Sequence, residues 1–189
     1  MASPARDTGP CRDELAAAYT DRVDAELVLA DAELPGSGGV RSSGDPFARV
    51  LLLKGEAGPA EVGGGAAFAG ADGDAARKAL EALGHNPERV FYALSRPLPD
   101  ADATAVAARV RRIVEAVDPA WVVCVDPVAG SDLARAFECS EPKRGQETPV
   151  MGRRILVLSG LEASLADEGM KRTVWAEFKA MDVSVVPDP

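Results

Sequence analysis

Four short apolar runs, Val50–Leu53, Val90–Leu94, Trp121–Val125 and Ile155–Leu158, recur along the chain with helix-forming segments between them. Each run is continuous rather than alternating, the pattern of a strand buried on both faces. Strands of that kind separated by helices predict a parallel sheet covered on both sides, with ligands beyond the carboxyl ends of the strands. The expected fold class is α/β, a three-layer α/β/α sandwich around a central, mainly parallel four-stranded sheet.

The intervening segments show helical spacing. From Arg12 to about Ala30, the residues Leu15, Tyr19, Val23 and Leu27 fall on one face. Asp72 or Asp74 caps a helix that reaches Leu83 and stops at Gly84. Asp100 or Asp102 caps a helix that turns Val106, Val110, Ile113, Val114 and Val117 inward and Arg109, Arg111 and Arg112 outward. Ser131 caps a short helix to Phe137, and a last helix holds Met170, Val174, Trp175, Phe178 and Met181. Residues 35–46 read as a flexible connection, because too little chain precedes them to bury a core of its own. Residues 1–46 are thus a helix and connection packed on the α/β domain of residues 47–189.

With 189 residues and 47% hydrophobic content the chain suits one globular domain. No apolar run approaches the ~20 residues of a membrane span, and the start Met-Ala-Ser-Pro-Ala-Arg-Asp has no signal-peptide core, so a cytoplasmic protein with no membrane contact is expected. Cys11, Cys124 and Cys139 are too scattered for a disulfide framework or a CxxC metal site, and no metal is expected. Cys124 reads as a core residue. The net charge of −9 disfavours a phosphate-neutralising surface. The best local exception is residues 141–154, with Lys143, Arg144, Arg153 and Arg154, which otherwise read as a solvated loop.

At the predicted strand ends, Gly55-Glu56 opens a glycine-rich stretch that continues to Gly70. Either a ligand approaches this backbone closely or the stretch is an ordinary connection. Glu56 is a carboxylate at a strand end with glycine-rich backbone after it, a placement suited to positioning water or stabilising a developing cation. No phosphate loop or dinucleotide fingerprint is present. His85, in Gly84-His85-Asn86-Pro87, reads as a turn residue away from those ends. Asp126 either faces the same cleft as Glu56 or is a turn residue before Pro127. Phe68 reads first as a plug of the core and second as a stacking surface for a flat ligand.

Together these segments resemble the uracil-DNA glycosylase superfamily, nearest to the bacterial group that carries an iron–sulfur cluster. The similarity spans roughly residues 48–182. Gly55-Glu56-Ala57-Gly58-Pro59 stands where that group has Gly-Glu-Ala-Pro-Gly, and Gly65-Ala66-Ala67-Phe68-Ala69-Gly70 where it has Gly-x-Pro-Phe-x-Gly. Asp118 to Val123, Gly152 to Val157 and Met170 to Trp175 look similar to later segments of the family. The resemblance implies base excision from DNA after the nucleotide is flipped into a pocket. It places Glu56 at the attacking water or sugar cation and Phe68 against the base. Gly55, Ala57 and Gly58 would line the pocket, with Leu94, Asp126 and Gly160 around it.

Several working positions depart from the family. A His-Pro-Ser turn is replaced by Gly160-Leu161-Glu162, and glycine supplies no donor to the departing base. Such a loss typically costs roughly 10²- to 10³-fold in rate. Leu94 stands where an asparagine reads the base edge, and leucine makes no hydrogen bonds. Thr20, Val23, Ser95 and Ala107 or Ala108 occupy the approximate places of the four cluster cysteines, so no cluster or other cofactor is expected. The expectation is a uracil-DNA glycosylase-like protein that has lost standard uracil excision and keeps a base- or ligand-sized pocket. Damaged DNA or a free base is the expected cargo. The alternatives are an active glycosylase for another lesion, using Glu56, and a protein-interaction module.

Overall fold

The computed structural model describes residues 9–34, 40–98 and 100–181. Residues 35–39 of the expected connection, Pro99 of the Pro97–Pro99 break, and the outer ends of the two expected segments lie outside the described residues. In chain order the elements are α1 (Gly9–Ala32), β1 (Ser43–Gly44), β2 (Val50–Glu56), α2 (Pro59–Val62), α3 (Ala71–Ala82), a 3₁₀ turn at Pro87–Arg89, β3 (Val90–Arg96), α4 (Ala103–Val117), β4 (Trp121–Cys124), α5 (Pro127–Ala136), β5 (Thr148–Val150), β6 (Arg153–Val157), α6 (Leu161–Ser164) and α7 (Glu168–Phe178).

The protein is a mixed α/β structure with a mostly parallel, six-stranded sheet of order β1-β3-β2-β4-β6-β5. The apolar runs form its four inner strands β3, β2, β4 and β6, all parallel. The two further strands, β1 and β5, pair antiparallel at the edges and are too short and polar to register as apolar runs.

Successive strand residues point to opposite faces, so a continuous apolar run fills two cores at once. Leu51, Leu53, Val122, Cys124, Ile155 and Val157 pack with Val23 of α1, Val110 and Ile113 of α4, and Leu133 of α5. Val50, Leu52, Val123, Leu156 and Leu158 pack with Leu80 of α3, Leu161 of α6, and Val174 and Phe178 of α7.

Several local readings change. Arg109, expected to face outward, is fully buried; its guanidinium donates to the Leu94 carbonyl and pairs with Asp31 of α1 at 2.9 Å. Burial pushes its pKa down and the Asp31 carboxylate works against that. With Arg112 bonded to Glu26 at 2.9 Å and to Glu33 at 3.2 Å, it ties α1 to α4. Leu15, expected on the packed face of α1, is 67% exposed. Asp102 does cap α4 through the Thr104 and Ala105 amides. Ser131 instead lies inside α5, whose cap is Asp126, five residues earlier than expected. Among the described residues no helix is long and apolar enough to cross a membrane.

Candidate site at the carboxyl ends of β2, β3 and β4

From β2 the chain crosses to β3 on one side and later to β4 on the other, so the switch in strand order falls between the carboxyl ends of β2 and β4. Gly55 and Asp126 meet there. Asp126 Oδ2 accepts the Gly55 N–H at 2.7 Å, and Oδ1 accepts the Ala129 N–H of α5 at 2.9 Å. A Cβ on Gly55 would lie 2.7 Å from both Asp126 Oδ1 and Val128 Cβ, so glycine is required by the close approach of α5. Asp126, expected as a turn residue before Pro127 or as a carboxylate facing the cleft of Glu56, thus accepts two backbone N–H groups. It caps α5 and clamps β2 to it.

Glu56 ends β2 with its side chain exposed, in register with Arg96 of β3. Arg96 donates through Nε and Nη2 to Asp132 of α5 at 2.9 and 2.8 Å, and Ser95 Oγ donates to the same carboxylate at 2.7 Å. The hydrogen bond to Asp132 is the main reason the Arg96 pKa is raised; the charges of Asp132, Glu56 and Asp126 add to it against some desolvation. Buried Asp132 thus fixes a half-exposed cation beside Glu56. A free carboxylate next to a fixed guanidinium can orient water or hold a polar group of a ligand.

The glycine-rich loop is organised by a residue that sequence reasoning passed over. Lys54, one step before Gly55, is 3% exposed. Its ammonium lies 2.7 Å from Asp72 of α3, 3.3 Å from Glu61 of α2 and 3.4 Å from Glu162 of α6. Burial works against the ammonium, but the hydrogen bond to Asp72 and the charges of Asp72, Glu61 and Glu162 outweigh it, leaving its pKa raised. Glu61, 1% exposed, also accepts the Gly58 N–H at 2.8 Å and the Phe68 N–H at 3.1 Å. One carboxylate thereby gathers both limbs of the loop onto a buried cation. Asp72, expected as a helix cap, is a ligand of that cation, and Gly70 holds the cap position of α3. Lys54 directly follows the apolar run within β2, and a charge buried there needs a partner, but only the fold shows that it is buried and which carboxylates it meets.

Phe68 is fully buried, edge-on to Tyr92 with ring centroids 5.5 Å apart. Its φ of 61° is unusual for an aromatic residue and is held by Glu61 on its N–H and Arg77 on its carbonyl at 3.2 Å. A Cβ on Gly73 would fall 1.9 Å from the Phe68 carbonyl, so α3 closes directly over this turn. Of the other expected lining residues, Gly58 and Gly160 are buried and Ala57 is half-buried. Leu94 is 1% exposed in the same core as Phe68. Glu56 is thus exposed at the end of β2, whereas Phe68 and Leu94 are buried in one core.

The other candidates resolve similarly. Cys124 is buried in the core and burial pushes its thiol well up. Within residues 141–154, Arg153 pairs with Asp118 and Arg154 with Glu147, each at 2.6 Å, and Arg154 lies over the Trp121 ring at 4.5 Å. His85 lies in the turn before Pro87, at the amino end of β3. Among the described residues, no group of three or more histidine, cysteine or acidic side chains is arranged to hold a metal ion. Compared with protein-family models and with curated proteins, the chain matches none.

Proposed function

We propose that this chain is a diverged uracil-DNA glycosylase-like domain, a three-layer α/β/α sandwich of the cytoplasm, in which standard uracil excision has been lost. The observation that carries this reading is the burial of Phe68 beneath a loop tied to Lys54 through Glu61, because the residue that should stack on a flipped base is spent on the protein's own core. Leu94 and Gly160 add no polar group at the base edge or leaving group, and the net charge of −9 opposes DNA. Incubation with uracil-containing single- and double-stranded oligonucleotides, at protein equal to substrate, should release no uracil. Release that disappears in Glu56→Gln would overturn the proposal.

A second reading keeps catalysis on another damaged base, and the exposed Glu56 beside Arg96 favours it. Processing of any member of a lesion panel, lost in Glu56→Gln, would support it. The absence of both processing and DNA retention at low salt would remove it. If both tests are negative, the first reading stands beside a role confined to protein interaction on the same fold, which a large exposed apolar patch away from the strand ends would support.

A further inference from the structure

Away from Glu56, an open groove of about 450 Å³ runs between α3 on one side and α6 and α7 on the other. Its floor is apolar, formed by Leu161, Val174, Trp175 and Phe178. Leu161, Val174 and Phe178 are nearly fully buried, whereas Trp175 is half-buried with one ring face covered by Lys179 Nζ at 5.3 Å. A groove of that size, apolar with an aromatic wall, is in the range of small-ligand sites.

The charged residues that line the groove are all cationic. Lys78 of α3 and Lys171 and Arg172 of α7 stand around the groove on a chain whose net charge is −9. Lys171 is paired with Glu168 at 2.6 Å, but among the described residues Lys78 and Arg172 have no ion-pair partner. An apolar trough with uncompensated cations at its mouth is complementary to a molecule with an apolar body and an anionic end.

We infer that this groove binds a small amphiphilic organic anion, of which a medium-chain carboxylate is the simplest form. The apolar body lies along Trp175 and Phe178 and the anionic group reaches Lys78 and Arg172. This inference does not depend on the strand-end site or on whether bases are excised.

Trp175 is a built-in reporter, because the other tryptophan, Trp121, is 1% exposed in the core. Titration of the full chain with decanoate should change its emission saturably. Decan-1-ol should bind at least tenfold more weakly, and the double variant Lys78→Glu/Arg172→Glu should lose at least tenfold for decanoate. Trp175→Phe should abolish the optical signal while calorimetry still detects binding. Equal affinity for decanoate and decan-1-ol, an unchanged affinity in the double variant, or no saturable change would each overturn the assignment. So would capture of an acidic amphipathic peptide that decanoate fails to displace, which would make the groove a protein-docking surface.

Discussion

Lys54 Nζ and Asp72 Oδ2 lie 2.7 Å apart, each on a side chain no more than 5% exposed, joining the strand that enters the glycine-rich loop to the helix that leaves it. The same ammonium reaches Glu61, which holds Gly58 and Phe68, so the loop is closed at both ends by one buried charge.

Removing that charge strands its partners. Lys54→Met leaves Glu61 and Asp72 buried without a cation and should destabilise the protein by roughly 3–5 kcal/mol. Glu162→Gln, which alters a 59% exposed partner, should cost less than about 1 kcal/mol. Urea denaturation of the two variants checks the contrast, and equal effects would contradict the assignment.

The same network sets an alkaline limit. The Lys54 pKa is raised in the folded chain, so its contribution is fully present below the unfolded value of about 10.4 and is lost as pH rises through the higher folded value. Tyr92, pushed up mainly by burial, weakens the fold in the same direction, so the comparison must be with a variant. The stability difference between the natural chain and Lys54→Met should be constant from neutral pH to about 10 and shrink above it. A difference that grows with pH would contradict the account.

Phe68 should show an inverted order of substitutions. Phe68→Ala opens a cavity at a cost of roughly 3–5 kcal/mol. Phe68→Gly opens a slightly larger one but relieves the φ of 61°, a strain of order 1–3 kcal/mol. Calorimetric melting should find the glycine variant at least as stable as the alanine variant.

Asp126→Ala removes the acceptor of two backbone N–H groups, at Gly55 and Ala129, and should cost about 1–3 kcal/mol. Asp126→Asn keeps one acceptor and should recover part of that. Equilibrium unfolding of the pair measures the difference.

The inner sheet was legible because Val50–Leu53 and its three counterparts are buried on both faces, which leaves an unmistakable apolar run. Edge strands β1 and β5 were not, since two or three residues carry no period. Arg109 was misassigned because helical spacing cannot say which arginine turns inward to meet a strand-end carbonyl and Asp31. At the site, Glu56 was visible as a carboxylate at a strand end. Lys54 and Asp132 were not, because each is defined by partners that only the fold brings together: Glu61 and Asp72 for one, Ser95 and Arg96 for the other.

The latched loop is tested most directly by amide hydrogen exchange at Gly58 and Phe68. Both donate to buried Glu61, so they should exchange as slowly as amides of β2 and become fast in Glu61→Ala, which removes both acceptors. Exchange in the natural chain as fast as that of the exposed Ala66 would mean that the loop opens freely, and would contradict the claim that Glu61 and Lys54 hold it shut.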